Sequence, residues 1–130
     1  MFTGQPIPPY VPAIIDEAAY ADGFVYLCLQ SALGFGSNRR IPVAKRPVTA
    51  VRPDGAWVIV LPNTSQDHSN DPNFFELTPE RVRWLQASEQ PSFVYYRYET
   101  VSVEVLGRKK IGVMSHPARL DLMSWLKERY

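Results

Sequence analysis

The chain has 130 residues, of which 45% are hydrophobic and 12 are proline, and a formal net charge of +1. That length is one domain's worth, and the apolar share can supply a core, which excludes an intrinsically disordered chain. The near-neutral total excludes a strongly basic nucleic-acid coat protein but leaves room for a local basic patch, and the single cysteine, Cys28, excludes an internal disulfide.

Residues 1–10, with Pro6, Pro8 and Pro9, read as an extended arm without the apolar stretch of a secretory leader. No run approaches the roughly 18 apolar residues of a membrane span, so the expectation is a cytoplasmic protein with no membrane contact. Residues 11–20 set Ile14, Ile15, Ala18 and Ala19 beside Asp16 and Glu17, a short-helix pattern ended by Asp22-Gly23. Residues 23–30 (GFVYLCLQ) read as a buried strand, with Cys28 as a small core hydrophobe. Residues 31–44, with Gly34, Gly36, Asn38, Arg39 and Arg40, read as an exposed loop.

Two apolar runs, 47–51 and 56–61, are joined by Arg52-Pro53-Asp54-Gly55 and predict a hairpin, with proline presetting φ and glycine permitting a positive φ. Residues 62–72 are almost wholly polar, and 73–77 predict a short strand. Thr78-Pro79 predicts a helix start with Val82 and Leu85 facing inward. Residues 92–106 form the longest β-prone run, with Val101, Val103 and Val105 alternating with Ser102 and Glu104. Residues 110–114 predict a last short strand. Residues 115–130 predict a closing helix with Pro117 near its start and Ala118, Leu122, Trp125 and Leu126 on one face. The sum is a mainly β (α+β) protein: a small antiparallel barrel or half-barrel with a C-terminal helix and short additional helices. It forms one domain over 1–130, with an arm and helix over 1–20 and a core over 23–126.

Three constellations could carry chemistry. Arg39, Arg40, Lys45, Arg46 and Arg52 occur with no acid between them. Such a patch suits phosphate contacts, although an ordinary solvated loop has the same composition. Asn63-Thr64-Ser65-Gln66 leaves an apolar strand, placing hydroxyls at a sheet rim or in a hydroxyl-stabilised turn. Nearby, His68 could titrate near neutral pH, whereas His116, beside Pro117, reads as a helix-capping residue. Phe93, Tyr95, Tyr96 and Tyr98 could stack on bases, though alternation sends one pair of them into the core. Two histidines and one cysteine, widely separated, give no metal-ligand spacing, and no Gly-x-Ser-x-Gly or phosphate-loop glycine motif is present. No cofactor is expected.

Taken together, these pieces resemble the MazF/PemK toxin family over roughly residues 23–126. Lys45-Arg46-Pro47-Val48 is similar to that family's Arg-Pro step into a strand, and residues 58–66 (VIVLPNTSQ) to its next strand and Thr/Ser loop. Glu99-Thr100-Val101 and residues 109–115 (KKIGVMS), followed by a leucine-bearing helix, resemble its C-terminal pattern. The resemblance implies a dimeric SH3-like barrel, a toxin that cuts single-stranded RNA without metal and is inhibited by a small antitoxin protein. It puts the catalytic arginine on Arg46 and the catalytic threonine on Thr64, with Ser65 as the alternative if the loop shifts by one. Arg39, Arg40, Lys45, Asn63, Ser65 and Gln66 would line the RNA, as would His68, which is a candidate base from its chemistry and not from the resemblance. The Arg-x-Asp pair of the plasmid-borne branch is not matched by Tyr95-Tyr96-Arg97-Tyr98, so that branch's acid–base scheme does not carry over. The competing readings are a catalytically inactive barrel that binds RNA or a partner peptide through the same loop, and a purely structural or regulatory protein.

Overall fold

The computed structural model describes residues 23–37, 44–85 and 91–130. The arm and helix expected over 1–20, and Arg39 and Arg40, lie outside the described residues.

Three consecutive strands make the centre of the sheet. β1 (Phe24–Leu29) pairs antiparallel with β2 (Lys45–Asp54), which folds back on β3 (Trp57–Thr64). The hairpin follows the expected order, but its turn sits one step later than proline suggested. Gly55 and Ala56 connect the paired Asp54 and Trp57, and Gly55 adopts φ +66°. Only glycine takes that conformation freely, and its sense matches strand twist. Pro53 instead lies in β2 opposite Val58, beyond the stretch that β1 covers, so its missing N–H costs no ladder bond on that side.

β3 then divides its free edge between two partners. Its first half, from Trp57 to Val60, pairs with β7 (Glu99–Ser102), and its end, Asn63 and Thr64, pairs with β6 (Phe93–Tyr95). β6 carries β4 (Phe74–Glu76) on its other side, while β1 carries β8 (Gly112–Met114) and β8 carries β5 (Val82–Trp84). After β7 a 3-10 turn (Val103–Val105) brings Leu106 into a bridge with Cys28, and the Gly107 N–H donates to the Leu27 carbonyl at 2.8 Å. The path β1–β2–β3–β7 thereby returns to β1, and the sheet closes into a small SH3-like barrel.

Alternation along these strands gives each face its own core. Tyr26, Cys28, Val48, Ala50, Val58, Val60, Val101 and Leu106 fill the barrel, each at most 6% exposed. The opposite face presents Leu61, Val94 and Met114 to α1 (His116–Lys127), whose Ala118, Leu122 and Leu126 recur at the helical spacing of four and are buried against them. The Ser115 hydroxyl caps α1 by accepting from the Ala118 N–H at 3.3 Å. His116, expected as the cap, is instead the first helical residue, with Nδ1 3.4 Å from the Arg119 guanidinium. Burial makes Cys28 a core residue as expected; it pushes the thiol up to about 11, with the Glu99 carboxylate as the second cause.

Two elements differ from expectation. The helix predicted from Thr78 is a single turn, with the Arg81 and Val82 N–H groups bonded to the Thr78 carbonyl, and the chain then forms β5. Pairing decides this: β8 offers an open edge, and Val82 and Trp84 turn inward while Arg83 points out. Leu85, expected inward, is 44% exposed. The long β run over 92–106 is also broken, at 96–98, because β6 and β7 pair with different parts of β3. Val103 and Val105 sit in the 3-10 turn rather than a strand, yet still pack on the barrel core. Among the described residues, no helix is long and apolar enough to cross a membrane.

Candidate active site at the end of the barrel

Arg46 and Thr64 occupy the same end of the barrel because of strand register. Val48 opposes Pro62, and the same register carried on by two residues sets Arg46 opposite Thr64 on the inward face. Both side chains are more than nine-tenths buried, at 5% and 6% exposure. Burying a guanidinium is costly unless its donors are satisfied, and here three neighbours hold it. Arg46 Nε donates to Gln30 Oε1 at 2.7 Å, and Nη1 donates to the Asn63 carbonyl at 2.9 Å. The guanidinium carbon lies 4.9 Å from the centroid of the Phe35 ring. The Asn63 carbonyl belongs to the peptide unit that enters Thr64, so the fork is anchored directly beside the threonine.

A second layer fixes these neighbours. Gln30 Nε2 donates to the Phe35 carbonyl at 2.7 Å, tying the amide to the loop it faces. Both oxygens of Glu99 accept backbone N–H groups, from Gly34 at 2.7 Å and from Phe35 at 3.0 Å. A carboxylate receiving two N–H bonds is a strong local anchor, so β7 clamps the loop of residues 33–37 over Arg46. Gly36 takes φ +77°, and a Cβ there would sit 2.5 Å from Arg46 Nη2. Gly36→Ala should therefore strain the backbone and push the guanidinium from its seat. The expected result is a melting temperature lower by roughly 3 °C or more with the fold retained by circular dichroism; an unchanged melting temperature would show that the contact does not matter.

The remaining expected site residues are less uniform. Lys45 is exposed and, by alternation, points away from Arg46. Arg52 lies six residues along β2 from Arg46, roughly 20 Å at the strand rise. The expected patch of adjacent cations is therefore not one surface: Lys45, Arg46 and Arg52 face different places. The Asn63 side chain, expected to line the RNA, has no accessible surface; its Oδ1 accepts from Thr49 Oγ1 at 3.0 Å and its Nδ2 is buried without a hydrogen-bond partner. Alternation again explains it, since Thr64 turns into the barrel and Asn63 turns to the helix-covered face.

Thr64 Oγ1 accepts from the Gln66 N–H at 3.2 Å, the hydroxyl-stabilised turn considered from sequence, and Ser65 and Gln66 are exposed beyond it. The loop continues through two side-chain-capped turns. The Ser69 N–H donates to Asp67 Oδ1 at 2.9 Å, which holds that carboxyl below the usual range, and the Asn73 N–H donates to Asp71 Oδ1 at 2.9 Å. These turns seat His68 flat on Phe74, with centroids 3.7 Å apart, and edge-on to Phe93, the residue opposite Thr64 in the β3–β6 register. His68 thus stands near the threonine end of the site.

Sequence reasoning passed over Gln30, Phe35, Gly36 and Glu99. The signal for two of them was present: Gly34-Phe35-Gly36 places an aromatic ring between two glycines, a spacing that lets a loop approach a neighbour closely.

No family model and no curated protein matches the sequence. A solved structure described as an endoribonuclease from mycobacterial species matches the fold with a TM-score of 0.57 and 16% sequence identity, over 83% of this chain and 88% of that one. The small barrel and closing helix expected from the sequence are the architecture observed, and that fold is shared with the structure described as an endoribonuclease.

Proposed function

We propose that the chain is an endoribonuclease of the MazF/PemK kind that cuts single-stranded RNA without a metal. The observation that supports it most is the cradle around Arg46, in which Gln30, Asn63 and Phe35 hold one guanidinium beside Thr64 and Gly36 leaves room for it. The fold shared with a protein described as an endoribonuclease agrees with this reading. In the proposed reaction the ribose 2′-oxygen attacks the adjacent phosphorus as its proton leaves. The bond to the 5′-oxygen of the next nucleotide breaks, and that oxygen takes up a proton. The products are a 2′,3′-cyclic phosphate and a 5′-hydroxyl. Because nucleophile and phosphate belong to one nucleotide, positioning supplies much of the acceleration.

Arg46 would stabilise the charge growing on the non-bridging oxygens, since guanidinium stays cationic and offers a planar fork of donors. Thr64 holds its proton near neutrality and would orient the phosphate or the 2′-hydroxyl rather than act as a base. His68, stacked on Phe74 at the threonine end, is the candidate for proton transfer. Phosphate contact with Arg46 requires the 33–37 loop to lift from its Glu99 anchor, because Phe35 and Gly36 cover the guanidinium. On this reading Ser65 and Gln66 meet the flanking RNA, and the protein acts as a cytoplasmic toxin, a homodimer held in check by a small antitoxin.

The test is cleavage by the purified chain in EDTA of a single-stranded RNA and of the same sequence as a duplex. Cutting of the single strand alone is expected. RNA that is bound with a steep salt dependence but left intact would replace the nuclease with a binding module.

A further inference from the structure

Ring contacts run outward from Arg46 in a continuous row. Its guanidinium lies over Phe35, which meets Tyr95 at 5.2 Å, and Tyr95 meets Tyr96 edge-on at 5.0 Å. Tyr96 meets Tyr130 at 6.0 Å, and Tyr130 meets Tyr98 at 5.3 Å. The row grows more open with distance from Arg46. Phe35, Tyr95 and Tyr96 are half-buried, whereas Tyr98 is 51% and Tyr130 64% exposed. The Tyr130 ring is also fixed in place. The Tyr130 hydroxyl donates to the Tyr96 carbonyl at 2.8 Å and accepts from the Tyr98 N–H at 3.1 Å. An exposed ring held at both sides of its hydroxyl offers a face that needs little further ordering on binding. Exposed Arg97 stands between Tyr96 and Tyr98 in the chain.

We propose that Tyr98 and Tyr130, continued inward by Tyr96 and Tyr95, form a platform on which bases of single-stranded RNA stack beside the cut. The proposal rests on the nuclease reading above and extends it to a binding surface outside the Arg46–Thr64 site. Single-stranded nucleic acid is the occupant that fits, because it alone pairs a row of flat apolar faces with regularly spaced anionic groups. The row ends at Phe35, on the loop that covers the guanidinium proposed to hold a phosphate. Stacking of this kind tolerates any base, since every base has a π-face.

The experiment uses a fluorescently labelled 2′-O-methyl RNA, which cannot be cut, and a matching strand with abasic positions. Tyr98→Ala and Tyr130→Ala should each weaken binding of the intact strand about tenfold and leave binding of the abasic strand unchanged, while Tyr98→Phe should bind like wild type. Wild-type affinity in both alanine variants, with Arg46→Ala weakened, would overturn the platform and leave the nuclease reading standing. No binding of either strand by the wild-type chain would overturn both.

Discussion

Arg46→Lys should lose at least a hundredfold in RNA cleavage while keeping the fold. The variant retains a cation but not the planar fork. A lysine ammonium can reach Gln30 Oε1 or the Asn63 carbonyl, both neutral acceptors, but it cannot bond them with two fixed N–H vectors and present a flat face to Phe35 as well. Removing one charge-stabilising donor typically costs about 100- to 1,000-fold in rate. Single-turnover cleavage of a short RNA measures the effect, and the melting temperature separates it from misfolding. Arg46→Ala should show the same loss with an added stability cost of about 1–3 kcal/mol, because it leaves the Gln30 and Asn63 acceptors buried and unpaired. Activity within a few-fold of wild type in both variants would remove Arg46 from the reaction.

Leu122→Ala should be the most damaging of the simple truncations of α1. Leu122 has no accessible surface and sits among Leu61, Val94 and Met114, where α1 closes the outer face of the sheet. Deleting its side chain removes buried apolar surface and leaves a cavity that the flanking strands cannot collapse into, a cost of about 2–5 kcal/mol. The melting temperature should fall by roughly 10 °C or more. Leu120→Ala on the same helix should fall within about 0.5 kcal/mol of wild type, since Leu120 is 57% exposed. Equal losses at both positions, measured by urea denaturation, would mean that α1 does not pack as described.

Both effects depend on features that differ in how plainly the residues announce them. The helix face was legible because Ala118, Leu122 and Leu126 repeat at helical spacing, and the β2–β3 hairpin because two apolar runs flank a glycine turn. The strand β5 was not: Thr78-Pro79 carries genuine helix-start chemistry, and only the open edge of β8, remote in sequence, makes Val82–Trp84 a strand. Burial of Asn63 was hidden for a similar reason. Its neighbours Thr64, Ser65 and Gln66 are polar, and alternation alone turns Asn63 to the covered face while Thr64 faces the barrel end. The pairing of Arg46 with Thr64 rests on register between β2 and β3. The loop that covers Arg46 owes its place to Glu99, which lies 64 and 65 residues from the N–H groups it accepts. Contacts of that separation leave no local trace in composition or spacing.

The proposed reaction requires the RNA's own 2′-hydroxyl to do the cutting beside Arg46. End-group analysis of products formed in EDTA, with one strand carrying a 2′-deoxy ribose at the cut position, tests this most directly. The expected products are 2′,3′-cyclic phosphate and 5′-hydroxyl ends from the all-ribose strand, with no cut at the deoxy position. A 5′-phosphate product, or cutting that continues at the deoxyribose, would contradict it.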